Sequence, residues 1–177
     1  MTPKHVRLIP RIGLFAALIY ILSWATSLLP NVSLVFFIVF SAGFMWGVLP
    51  GVLTGMVGMG LTTLFNPYGP AALPIMIAQI GGAAISGLFG AVYFNLPHLR
   101  QSKLLLYVSL GAASLACTIS FFLPVNIVDA WLFQPFWERF VISSGWSLIS
   151  VVSNVIIFTI LFPALLSFYH KERKLLC

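Results

Sequence analysis

The sequence predicts an all-α membrane protein, a bundle of six transmembrane helices with both termini in the cytoplasm. Three observations carry that expectation. Hydrophobic residues make up 60% of the 177 and charged residues 7%, with a mean hydropathy of +1.08. A soluble domain carries about a quarter charged residues, so this chain lacks the polar side chains to cover itself in water. Apolar runs recur along its whole length, most of them close to the roughly 17 to 25 residues that a bilayer core requires. Its lysines and arginines fall almost entirely on alternate connections between those runs.

The first span is expected over 12–29, stopping at Pro30-Asn31. The second covers 33–48, and Leu49-Pro50 separates it from the third, 51–65. Asn66-Pro67-Tyr68-Gly69-Pro70 is a turn, with two prolines and a glycine in five residues. The fourth span covers 71–94 and closes at Asn95-Leu96-Pro97, the fifth covers 104–123, and the sixth covers 140–169 with Pro163 near its end. The second and third are short for a bilayer, so they are expected to stand steeply or to be shielded by their neighbours. Nothing is left over for a separate soluble domain.

With the amino end inside, the cytoplasmic segments hold Lys4, Arg7, Arg11, Arg100, Lys103, Lys171, Arg173 and Lys174, and the outer ones only Arg139. Excess basic charge on the cytoplasmic side is the usual determinant of topology. The net charge of +6 is therefore expected to report orientation and contact with anionic headgroups, with no nucleic-acid partner. An alternative applies to the first span alone. Basic residues, an apolar run and Ser23-Trp24-Ala25 also fit a secretory signal with a small-x-small cleavage site.

Small residues recur every four positions. Gly43, Gly47, Gly51 and Gly55 form one ridge, Gly82, Ser86 and Gly90 a second, and Ala83, Gly87 and Ala91 lie beside it. Such spacing puts the missing side chains on one helical face, where backbones can approach closely. Gly13 and Ala17 form a shorter pair on the first helix.

Polar residues within the spans are few, and each needs a protein or water neighbour. Ser143, Ser147, Ser150 and Asn154 make one stripe on the sixth helix, and Gln79 lies near the outer end of the fourth. The outer surface adds Asn31, Asn66, Tyr68, Asn126, Asp129, Trp131, Gln134, Trp137, Glu138 and Arg139. Aromatic walls with a few polar groups are the usual composition of a small-molecule site. The candidate binding set is therefore Asn66, Tyr68, Gln79, Trp131, Trp137, Arg139, Ser143, Trp146, Ser147 and Asn154. An interfacial aromatic belt would account for Trp131 and Trp137 with no ligand at all. Asn154, the deepest, is better placed to tie helices together.

Catalysis is not expected. The only acids are Asp129, Glu138 and Glu172, and no span holds a carboxylate, lysine or histidine to act as general acid or base. Neither HExxH nor GxSxG occurs, and the absence of GxxxxGK leaves no phosphate-binding loop for ATP. Cys117 and Cys177 give no metal spacing, so no metal or other cofactor is expected. Without an intramembrane acid, a proton-driven cycle also lacks its relay.

Several motifs, in order, carry a resemblance. They are Arg11-Ile12-Gly13-Leu14-Phe15-Ala16-Ala17-Leu18, Leu29-Pro30-Asn31-Val32, the Gly43 to Gly55 ridge, and Asn66-Pro67-x-Gly69 with Gln79 beyond it. Together with the topology they resemble the substrate-binding S components of energy-coupling factor vitamin transporters. The resemblance implies capture of a vitamin or related micronutrient at the outer face. It also implies partnership with an energy-coupling module of one membrane subunit and two ATPases, in the cytoplasmic membrane of a prokaryote. Gly13 and Ala17 stand where that family's first helix docks on the module, glycine replacing the first alanine. A non-transporting interaction subunit of a larger complex, or an autonomous facilitator, are the alternatives.

Overall fold

The computed structural model describes the backbone of residues 3–26 and 32–176 and the side chains of 8–26 and 32–174. Leu29, Pro30 and Asn31 of the first connection lie outside the described residues. Six helices follow one another: α1 (Pro3–Ala25), α2 (Val35–Trp46), α3 (Val48–Leu64), α4 (Leu73–Phe94), α5 (Lys103–Leu132) and α6 (Phe136–Leu176), with a 3-10 turn at Pro97–Arg100. There is no strand among the described residues. Four of the helices, α1, α4, α5 and α6, are long and apolar enough to cross a membrane.

α2 is different, and its sequence explains why. Its 12 residues run about 18 Å at 1.5 Å per residue, short of a ~30 Å hydrocarbon core. The run Val35–Phe44 is apolar on every side but for Ser41, whose hydroxyl donates to the Phe37 carbonyl at 2.6 Å, and all ten residues are buried. A helix without a polar face belongs inside a bundle. α2 accordingly packs against all five others, while α1, α3, α4, α5 and α6 follow one another around it. Among the described residues, α1 and α6 do not pack along each other, so this ring has one open seam. Phe36, Phe40 and Phe44, four apart on α2, meet Phe121, Phe158 and Phe162 with ring centroids 5.0, 5.0 and 5.6 Å apart.

The small-residue ridges are where the helices come closest. A Cβ on Gly55 would lie 2.6 Å from the Ala83 carbonyl oxygen, and one on Gly90 would overlap the Phe40 carbonyl. One on Gly43 would overlap the Gly87 carbonyl. Backbone cannot yield to such contacts, so glycine is required for α2, α3 and α4 to pack at this distance.

Three expected boundaries are corrected. The break between the second and third spans is at Gly47, with φ +94°, and not at Pro50. Glycine alone takes that conformation without strain, whereas Pro50 sits in the first turn of α3, where its missing N–H costs nothing. The fifth helix does not stop at Leu123 but continues through Pro124 to Leu132. Pro124 strips the Ser120 carbonyl of its usual helical donor, and that carbonyl faces Gly82, where an added Cβ would lie 2.9 Å from it. Prolines are tolerated in such helices when a neighbouring helix shields the freed group. The sixth helix starts at Phe136, not 140, and runs 41 residues, about 61 Å and longer than any bilayer core.

Candidate functional site

The bundle has two polar ends and an apolar middle. One end gathers the start of α1, the α2–α3 corner, the α4–α5 connection and the end of α6. There Arg11 pairs with Glu172, and Trp46 Nε1 donates to the same carboxylate at 2.9 Å. Arg11 also lies over the Trp46 ring, and Arg173 over Tyr169 at 5.5 Å. Arg100 donates to the Phe94 carbonyl at 3.0 Å and faces the Phe44 and Phe94 rings. Glu172, beyond the expected end of the sixth span at 169, sits within α6 and joins the first helix to the last. As the only acid among the basic residues at that end, it was the signal for this clasp. Arg11, Trp46, Tyr169, Glu172 and Arg173 border a cavity of about 730 Å³.

The opposite end carries most of the expected binding residues, at two separate places. In the turn after α3, Asn66 Oδ1 accepts from the Tyr68 N–H at 2.9 Å and the Asn66 carbonyl accepts from Gly69 N at 3.0 Å. Gly69 takes φ +98°, so Asn66 and Gly69 shape the turn itself. Tyr68 is left 84% exposed, beside a small hollow of about 50 Å³ shared with Trp24 and Thr62. Gln79 is half-buried, and its Oε1 accepts from Thr63 Oγ1 at 2.7 Å, tying α4 to α3.

The second place is the α5–α6 corner. Because α5 runs to Leu132, Asp129 and Trp131 are helical, and only 133–135 separates the two helices. Arg139 grips Asp129 with a fork, Nε to Oδ2 at 2.6 Å and Nη2 to Oδ1 at 3.2 Å, and lies 4.7 Å over the Phe133 ring. Such paired, charge-assisted bonds fix both geometry and register. Arg139 and Ser143 border an open hollow of about 380 Å³ with Phe133, Gln134 and Glu138.

Five of the expected residues are engaged in, or turned toward, something other than a ligand. Trp131, Trp137 and Trp146 are 68%, 71% and 55% exposed on the outside of the bundle, the placement of an aromatic belt. Ser147 accepts from Asn126 Nδ2 at 3.0 Å and donates to the Ser143 carbonyl at 2.9 Å. Deeper, Asn154 Nδ2 donates to Thr118 Oγ1 at 3.1 Å. The polar stripe of α6 thus faces α5, with Ser150 and Asn154 fully buried. The sequence places Asn126 at the outer surface, and no spacing within it pairs Asn126 with Ser147.

On α1, Ala16 and Ile19 face inward and are buried, whereas Gly13 and Ala17 are exposed, with nothing within 4 Å of a Cβ added to Gly13. Leu14 and Ile21, 69% and 62% exposed, flank them. Every described acidic and basic side chain belongs to one end or the other, so no ionisable pair crosses the apolar middle. Comparison with family models, with characterised proteins and with solved structures gave no match.

Proposed function

We propose that this chain is the substrate-capture subunit of an uptake system for a vitamin or related micronutrient, energised by a partner ATPase module as in energy-coupling factor transporters. The observation that supports this reading best is the outward face of α1. Gly13 and Ala17 leave a shallow groove there, unused by the bundle and suited to close approach of another helix. The apolar middle adds to it, since a chain without an intramembrane relay depends on another subunit for energy. In this reading the basic end faces the cytoplasm, the chain lies in a prokaryotic cytoplasmic membrane, and substrate enters between the Asn66 turn and the Arg139 hollow. A thermal-shift screen of the purified chain against vitamins tests it, since a tight ligand raises the melting temperature by mass action. In liposomes the chain alone should bind that ligand without concentrating it. Uphill accumulation driven by ATP or a proton gradient, without other subunits, would overturn the proposal.

A second reading, a non-transporting interaction subunit, is favoured by the bonds that occupy Ser147, Asn154 and Gln79. Under it the screen finds no ligand, and the α1 face still recruits a partner.

A further inference from the structure

The open seam of the ring continues into the basic end, and that continuity identifies an occupant. We propose that the cleft between α1 and α6 seats one anionic phospholipid, its acyl chain lying along α2 and its phosphate held by Arg173 and Arg11. The cleft is a groove of about 430 Å³ with almost no polar lining, floored by α2 from Leu34 to Met45 and walled by Phe15 and Ala164. The twelve residues from Leu34 to Met45 span about 16 Å, half of a ~30 Å hydrocarbon core and so the depth of one leaflet. A groove of that length and volume accommodates a single acyl chain, and the charge at its end distinguishes a lipid from an apolar partner helix.

The charge at its end selects the headgroup. Met45 lines both the groove and the polar cavity below it, which Arg11 and Arg173 border. Glu172 takes donors from Arg11 and Trp46 and so is satisfied, while Arg11 keeps further N–H groups. Arg173 has no carboxylate partner among the described residues. A guanidinium pair above an apolar channel complements a phosphate on an acyl chain. The inference needs the bundle to lie in a bilayer and does not depend on the uptake reading.

Native mass spectrometry of the full chain, released from detergent containing equal phosphatidylglycerol and phosphatidylcholine, tests it. The chain should retain one phosphatidylglycerol, about fivefold preferred for each engaged arginine. Arg173→Gln should lower that preference about fivefold while total lipid stays bound. Ala164→Phe, which fills the groove, should lose both lipids. Equal retention of the two lipids by the parent chain would overturn the proposal, as would an unchanged preference in Arg173→Gln or a dimer that carries no lipid. If Ala164→Phe loses its helical circular dichroism, the exposed Arg173→Gln change still decides the matter.

Discussion

Asn126 and Ser147 hold α5 and α6 together through one bond, amide nitrogen to hydroxyl oxygen at 3.0 Å, near the end of the bundle that carries Arg139. Ser147 in turn donates to the Ser143 carbonyl, so its hydroxyl is used in both directions. Its first role is therefore structural. Ser147→Ala should lower the melting temperature of the empty protein by an amount corresponding to about 0.6 to 1.7 kcal/mol, the range for interhelical bonds in membrane bundles. A double-mutant cycle with Asn126→Ala should return a coupling energy of the same size. Additive losses would mean the two side chains do not act on each other.

The glycines divide into two classes that mutagenesis can separate. Gly43→Ala and Gly90→Ala place a methyl group on the backbone of a neighbouring helix, and each should cost about 3 kcal/mol or more. Gly111→Ala and Gly145→Ala meet nothing within 4 Å and should leave the melting temperature unchanged or raise it slightly, since alanine is favoured over glycine within a helix by about 0.5 to 1 kcal/mol. Gly47→Ala is a third case, with open space but a left-handed backbone, and should cost about 1 to 2 kcal/mol. Thermal unfolding in detergent measures all five. If Gly90→Ala is as harmless as Gly111→Ala, the α2–α4 contact is looser than described.

Topology follows from the same geometry. Tyr68 lies in the turn between α3 and α4, and Gln101 lies between α4 and α5, so they stand at opposite ends of α4. With the basic end in the cytoplasm, Tyr68→Cys should react with an impermeant thiol reagent added to intact cells, and Gln101→Cys should react only after lysis. The reverse pattern would invert the bundle. Labelling of both from outside would remove α4 from the membrane.

These tests also mark where the sequence was legible. Helical class, element order and the ridges are local properties, set by composition and by spacing of four, and Gly43, Gly55 and Gly90 lie where that spacing puts them. Proline misled twice, because its effect depends on surroundings. Pro50 occupies a first turn that needs no N–H, and Pro124 leaves a carbonyl against Gly82 on another helix. The binding set was the least legible. A polar stripe such as Ser143 to Asn154 reads the same whether it faces a ligand or a neighbouring helix, and only the placement of Thr118 and Asn126 decides. Exposure of Trp131, Trp137 and Trp146 likewise depends on which faces α5 and α6 turn to each other, and no single helix contains that information.

The α1 face separates the two functional readings from each other and from plain packing. Gly13 and Ala17 point away from the bundle, so leucine at both positions meets no internal atom near Gly13 and should leave the melting temperature of the isolated chain unchanged. A partner helix packed there would be pushed outward by two isobutyl groups, since close approach is what small residues permit. If the chain is the capture subunit proposed above, the double variant should lose co-purification with a coupling subunit, and uptake with it, while vitamin affinity stays within about twofold of the parent. Loss of co-purification with no vitamin ligand in either protein would support the interaction-subunit reading instead. Retained co-purification and uptake would place the partner contact elsewhere, and a lower melting temperature of the isolated chain would show that this face packs internally.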